Sequence, residues 1–301
     1  MAAGPRRRWV KRWVAYPLQA ALLCTLLFLF RLLPVDAASA LGGRIGRTVG
    51  PRLTAANRRA AHNLARSFPE KSAAERGRIL LGMWDNVGRI LAEYAHLVRL
   101  RDGGRIETVG LDTLTAHKAA GGPLILIGAH VGNWELSGVW CAKHAQPLTS
   151  IYRPPNNRSV DRLIGRIRAA AGLVEARKGT EGTRAALKAL SEGRNLGMLL
   201  DQKLNQGIAL PFFGREAMTT PALGLFALRF GCPVVPVRIE RTGGAHFRVT
   251  VCPPLEISRT GDREADVAAI MTRVNRMFED WIRERPEQWL WMHRRWKDSV
   301  S

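Results

Sequence analysis

Cysteine is scarce and scattered in this chain: Cys24, Cys141, Cys232 and Cys252 are the whole complement, and no two of them stand in a CxxC spacing. Neither a zinc site nor a disulfide framework is suggested. Reduced, packed thiols fit a domain facing the cytosol. Acidic residues are also in short supply, with 25 Asp and Glu against 46 Lys and Arg, for a formal net charge of +21. No internal repeat, low-complexity segment, metal motif or nucleotide motif is present, and there is no helix-turn-helix, zinc-finger or RNA-binding signature. The basic field is therefore assigned to anionic lipid, phosphorylated ligands or an acidic protein partner, with no nucleic acid.

What is there can fold. A chain of 301 residues with 46% hydrophobic content buries at least one sizeable core, which excludes disorder. The charge is unevenly spread, because residues 1 to 60 hold eleven basic side chains and a single acid, Asp36. That basic excess flanks the most apolar stretch of the chain. Eighteen uncharged residues, WVAYPLQAALLCTLLFLF, lie between Arg12 and Arg31, enough to cross roughly 30 Å of hydrocarbon at about 1.5 Å per residue. Trp9, Trp13 and Tyr16 stand where an interfacial aromatic belt would sit.

A cleaved signal peptide competes with this reading, since the small residues Ala38-Ser39-Ala40 follow a basic start and an apolar stretch. The stretch is long for that role, and Arg31 interrupts it before any cleavage site. A retained anchor over residues 1–40, followed by a catalytic domain over 41–301, is the expectation. The charges Arg6 to Arg12 taken alone would send the domain outward. A monotopic segment gripping inner-leaflet head groups would keep it in the cytoplasm, and both arrangements stay open.

Residues 54 to 100 carry helical periodicity. After the strand IETVG and the short helix LDTLTAHKAA, the continuous apolar run PLILIGAH ends at His130 and VGNWELSGVWCAKHA follows with helical spacing. This predicts a buried strand, a loop and a helix. LTSIYR predicts a second strand ending at Arg153, and NLGMLLDQ a third ending at Asp201 and Gln202, after the helix TEGTRAALKALSEG. Beyond them TPALGLFALRFG predicts a helix, PVVPVRIER and AHFRVTVCPP a strand pair, and residues 262 to 285 an amphipathic helix. The fold class is α/β, a mixed sheet flanked by helices, with an N-terminal membrane-anchoring helix. Ligands of open α/β sheets gather at the carboxyl ends of strands, where His130, Arg153, Asp201 and Gln202 fall.

Acyl transfer from a thioester to a hydroxyl needs a base for the hydroxyl proton, and histidine suits this near neutral pH. A carboxylate on the other ring nitrogen would fix the tautomer, and Glu135, five residues on, is the expected partner of His130. The loop amides near Gly132 and Asn133, or the Arg153 guanidinium, are candidates for stabilising the oxyanion. A second pair with the same spacing, His293 and Asp298, has no strand before it and makes the poorer dyad.

Five boxes in order carry a resemblance: GAHVGNWE, then YRPPNN at 152–157, LLDQK at 199–203, PFFGREAMTTPA at 211–222 and PEQWLWMHRRWK at 286–297. The chain resembles, over nearly its whole length, the lipid A biosynthesis acyltransferase family of lauroyl and myristoyl transferases, a branch of the lysophospholipid acyltransferase superfamily. The resemblance implies a glycerol-3-phosphate acyltransferase-like fold at the cytoplasmic face of the bacterial inner membrane. It implies transfer of a fatty acyl chain from acyl carrier protein to a hydroxyl of a lipid A precursor, with neither cofactor nor metal. His130 would be the base and Glu135 its partner, matching the His-x4-acid motif. Arg153, Asp201, Gln202 and Asn133 would contact substrate or support the loop, and Phe213 and Gly214 would form a substrate-proximal loop. Glu287, Trp291, His293, Arg294 and Arg295 match the terminal box, in folding or in substrate contact. Trp stands in EQWLW and RRWK where relatives often carry Tyr and Phe. Same-fold transfer to a lysophospholipid, glycolipid or ornithine lipid is the alternative, and a non-catalytic protein binding anionic lipid the remaining one.

Overall fold

A computed structural model describes residues 11–177 and 179–299. Arg6 to Arg8 and Trp9 lie outside the described residues. The apolar run forms helix α1 (Tyr16–Leu32). The 20 residues Trp13–Leu32 are long and apolar enough to cross a membrane, with 11% of the apolar window buried, so this helix is a candidate membrane anchor. Leu18, Leu22, Phe28, Leu29 and Leu32 are each more than half exposed. The helix stops at Leu33, which is extended because it precedes Pro34.

Helix α2 (Val35–Val49) then runs straight through residue 40. It is followed by α3 (Thr54–Ser67), by α4 (Ala73–Glu93), whose start is closed by a Ser72/Glu75 capping box, and by short α5 (Leu97–Asp102). Glycines let α2 and α4 touch backbone to backbone: a Cβ on Gly88 would lie 2.1 Å from the Gly42 carbonyl oxygen. The Ala38-Ser39 pair expected as a possible cleavage site is wholly buried in this contact, and Ser39 Oγ donates to Glu93 Oε1 at 2.6 Å.

The α/β portion runs β1 (Ile106–Val109), α6 (Asp112–Ala120), β2 (Ile125–Gly128), α7 (Trp134–His144), β3 (Leu148–Tyr152), α8 (Arg158–Ala170), β4 (Val174–Arg177), α9 (Thr180–Ser191) and β5 (Asn195–Leu199). A hairpin β6 (Ile208–Phe212) and β7 (Arg215–Thr219), then α10 (Ala222–Phe230), β8 (Val234–Gly243), β9 (His246–Val251) and α11 (Arg263–Glu284) complete it. The main sheet has the order β1-β9-β8-β2-β5-β3-β4. Its neighbours are parallel except β8 and β9, which makes the sheet mixed. Central β2 is buried at every position, as its uninterrupted apolar run demands. Helices cover both faces: Leu190, Leu223, Val274 and Phe278 pack in the core on one side, Leu114, Leu136 and Trp140 in the core on the other.

Helix α8, strand β4 and the β6–β7 hairpin are additions to the elements expected from the sequence. Strand β4 is four residues with a single buried side chain, too little to be read, whereas α8 does carry an apolar stripe, Val160, Leu163, Ile164 and Ile167, that the sequence offered.

Candidate active site

Chain reversal makes the site. After β2 the chain builds β3 and β4 on one side and slots β5 between β2 and β3, and only later places β8 on the other side of β2. The carboxyl ends of adjacent β2 and β5 thus open side by side, and His130 follows the first while Asp201 and Gln202 follow the second.

His130 Nδ1 lies 2.7 Å from Asp201 Oδ1, and the His130 amide donates to Asp201 Oδ2 at 3.1 Å. Trp289 Nε1 donates to the same oxygen at 2.8 Å. Asp201 is 2% exposed. Burial pushes its carboxyl upward, but the His130 charge and the hydrogen bonds from His130 and Trp289 outweigh that and hold it well below the usual carboxylate range. A carboxylate only accepts, so in the neutral ring His130 Nδ1 carries the proton and Nε2 keeps the lone pair that a base needs. Gln202 Nε2 lies 3.1 Å from that lone pair and donates to it.

The carboxylate beside His130 is therefore Asp201, where Glu135 was expected. The reason is local. The loop 129–133 turns at Gly132, with φ +60°, and α7 starts at Trp134, whose indole packs 5.4 Å from the His130 ring and donates to Glu135 Oε1 at 3.1 Å. Glu135 is bound two-pronged by Arg168, at 2.8 and 2.7 Å, and Arg168 also holds Glu175 at 2.8 Å. Burial disfavours the Arg168 charge, but Glu135 and Glu175 more than restore it and raise its pKa. Burial raises the Glu175 carboxyl despite Arg168, and pushes the Tyr94 hydroxyl beside this cluster well up.

A cavity of about 750 Å³ opens over these groups, lined by His130, Glu135, Arg153, Gln202, Leu225 and His293. A smaller one of about 100 Å³, lined among others by Gly138, Cys141, Leu148 and Gly197, shares Trp134, Glu135 and Ile151 with it and runs under the sheet end. Arg153 lies exposed at the large cavity. Asn133, expected to meet substrate, is fully buried. It caps α7 by accepting from the Leu136 amide at 3.1 Å and donates to Glu93 Oε2 at 2.7 Å. Phe213 and Gly214 are the two-residue turn of the β6–β7 hairpin, both with positive φ. Phe213 is packed edge-on against Phe68 and Trp291 and is buried, so this turn belongs to the core and the cavity lies elsewhere. Of the amides expected as oxyanion donors, that of Gly132 is bound to the Gln288 carbonyl at 3.2 Å, as that of neighbouring Val131 is to the Ala129 carbonyl at 2.8 Å, whereas the Asn133 backbone amide meets no acceptor among the described residues.

The terminal box is a strap across both loops. Trp289 pairs with Val131 and bonds Asp201, and His293 Nε2 accepts from the Lys203 amide at 3.1 Å. Arg295 is fully buried and donates to the Met218 carbonyl and to Thr219 at 2.8 Å, whereas Asp298 pairs with Arg215 and Arg66. Arg168 and Trp289 are the site residues missed from sequence: Arg168 sits in the unforeseen helix α8, and Trp289, inside the terminal box, carries no titratable group to attract notice.

A polarised histidine at adjoining strand ends, facing a large cavity with an apolar extension, is an α/β arrangement able to serve acid–base chemistry on a bound substrate. The model of the bacterial lipid A biosynthesis acyltransferase family matches residues 6–298, and the chain belongs to that family. It is 28% identical over 282 residues to a lipid A biosynthesis palmitoleoyltransferase of Escherichia coli, covering 90% of this chain and 88% of the relative. It is 29% identical over 245 residues to a lipid A biosynthesis lauroyltransferase of the same organism, covering 78% and 77%. It is also 25% identical over 206 residues to a phosphatidylinositol mannoside acyltransferase of Mycolicibacterium smegmatis, covering 67% and 66%. The chain is thus an acyltransferase of the family that acts in lipid A biosynthesis.

Proposed function

We propose that the chain transfers a fatty acyl group from acyl-acyl carrier protein to a hydroxyl of a lipid A precursor, with His130 as general base. The observation that carries this reading is the Asp201–His130 pair, which leaves Nε2 facing the cavity. His130 Nε2 takes the hydroxyl proton as the oxygen bonds to the thioester carbon, and the carbonyl electrons move onto oxygen. When the carbonyl re-forms the C–S bond breaks, and the leaving thiolate takes the proton back from the imidazolium. Asp201 stabilises that imidazolium without itself becoming protonated.

The Arg153 guanidinium at the mouth suits a substrate phosphate. The apolar extension past Trp134 suits the acyl chain, and Glu135 with Arg168 forms the charged wall where the two cavities meet. The +21 field would gather an acidic carrier protein and a phosphorylated lipid alike. We place the domain on the cytoplasmic face of the bacterial inner membrane, held by α1. Burial of Ser39 against Glu93 favours a retained anchor over a cleaved one, because cleavage there would break the contact between α2 and α4.

The test is transfer by the purified full chain with acyl-acyl carrier protein and acyl-coenzyme A as donors. The acceptor panel holds a lipid A precursor, a lysophospholipid, a glycolipid and an ornithine lipid. His130→Ala is expected to stay folded and lose roughly a hundredfold or more in turnover. Folded His130→Ala with full turnover sinks the mechanism, and preference for another acceptor reassigns the substrate.

A further inference from the structure

The resting base is occupied. His130 Nδ1 holds its proton against Asp201 at 2.7 Å, so the only role left to Gln202 Nε2, 3.1 Å from Nε2, is to donate. An acceptor hydroxyl can deliver its proton to that lone pair only by displacing the carboxamide. The displaced group cannot go far, because the residues on each side of it are pinned. Asp201 is held by His130 and Trp289, and the Lys203 amide is bound to His293.

The reaction, meanwhile, needs a donor for the oxygen that gains charge, and part of the loop's supply is already committed. The amides of Val131 and Gly132 are spent on the Ala129 and Gln288 carbonyls, and the Asn133 side-chain amide is spent on Glu93. The attacking oxygen and the oxygen that gains charge share one tetrahedral carbon. A donor that begins within hydrogen-bond range of the base is therefore a side-chain rotation from the developing oxyanion. Gln202 lines the cavity and brings two N–H groups to it.

We propose that Gln202 is the oxyanion donor of the transfer, its carboxamide covering the His130 lone pair at rest and turning onto the thioester oxygen when the acceptor hydroxyl takes its place. This rests on His130 acting as the base. The proton goes from hydroxyl to His130 and then to the departing thiolate, and Gln202 only lends and withdraws a hydrogen bond.

The experiment compares kcat and KM for both substrates in Gln202→Leu, Gln202→Glu, Arg153→Ala and His130→Ala, each checked for folding by its thermal melt. Loss of an oxyanion donor lowers kcat by about 10²- to 10³-fold, with KM within about twofold for both leucine and glutamate variants. Arg153→Ala is the contrasting case, raising KM for a phosphorylated acceptor with a smaller change in kcat. A side chain that merely shields the base gives the opposite sign, because removing it frees the lone pair and leaves kcat equal or higher. That result, or a loss confined to KM, overturns the proposal. If Gln202→Leu does not fold, the near-isosteric Gln202→Glu decides, since it keeps the volume and removes the donors. An inactive His130→Ala beside a fully active Gln202 variant defeats this inference alone, whereas an active His130→Ala defeats the reading beneath it.

Discussion

Asp201 and Glu135 are both buried carboxylates near one histidine, and their partners assign them different work. Asp201 touches the ring, so Asp201→Asn should lower kcat by roughly a hundredfold or more while KM stays close to wild type, measured under saturating donor. Glu135 instead neutralises Arg168, whose side chain is 15% exposed. Glu135→Gln should therefore cost about 3 kcal/mol of stability by leaving a buried cation underpaired, read as a lowered Tm, with activity falling alongside it. The depressed Asp201 carboxyl adds a pH signature. A carboxylate whose folded pKa is lowered contributes stability that is present above its unfolded value, about 4, and is lost as pH falls toward the folded one. The Tm gap between wild type and Asp201→Asn should accordingly be widest near neutrality and shrink below about pH 4. A gap that grows on acidification contradicts the assignment. His130 was legible in the sequence because a buried strand ends at it. Its partner was not, because Asp201 is 71 residues away and only the pairing of β2 with β5 brings them together. Spacing along the chain favoured Glu135, and the helix start at Trp134 turned that carboxylate toward Arg168.

At the scale of elements, the strands and helices with a continuous apolar run or a clear stripe were readable, among them β2, α7, the β8–β9 pair and α11. Elements whose register is set by partners were not: β4 is a short outer strand, and the β6–β7 turn needs positive φ at Phe213, which its own side chain does not favour and its packing against Phe68 and Trp291 supports. The smaller cavity gives an element-scale prediction. A Cβ on Gly197 of β5 would meet Ser150 Oγ at 3.1 Å and Leu148 at 3.6 Å, contacts a strand can absorb, while the rest of a valine would fill space beneath the site. Gly197→Val should shift the preferred acyl chain toward shorter lengths in a donor competition with little loss of stability. An unchanged chain-length profile places the acyl chain elsewhere. The contact between α2 and α4 behaves differently, because Gly88→Ala would push a methyl group into the Gly42 carbonyl, backbone against backbone. Overpacking of this kind costs about 1–3 kcal/mol, and a melt of Gly88→Ala at or above wild type contradicts the close crossing.

For the whole molecule, the question is what would hold a +21 enzyme against a bilayer, and the two available forces respond differently to salt. Basic residues draw the chain to anionic lipid over a Debye length of about 8–10 Å near physiological ionic strength, an attraction that added salt removes. Apolar burial is insensitive to salt, and α1 offers it generously. Leu18, Leu22 and Leu29 are exposed at 64%, 61% and 51%, and fully burying a leucine is worth roughly 1.5–3 kcal/mol. The helix is also fastened to the domain, since Asn157 at the start of α8 donates to the Tyr16 carbonyl at 2.8 Å and His96 Nε2 meets the Phe30 carbonyl at 2.9 Å. Whatever depth α1 takes therefore sets the height of the loop 153–156, which lines the cavity next to α8. Wild type should float with vesicles of mixed neutral and anionic lipid even at about 1 M salt, where the Debye length is about 3 Å. The triple variant Leu18→Ser, Leu22→Ser, Leu29→Ser should float at low salt and be released at high salt, because charge alone then holds it. Flotation of that variant unaffected by salt would mean that α1 is not the anchor.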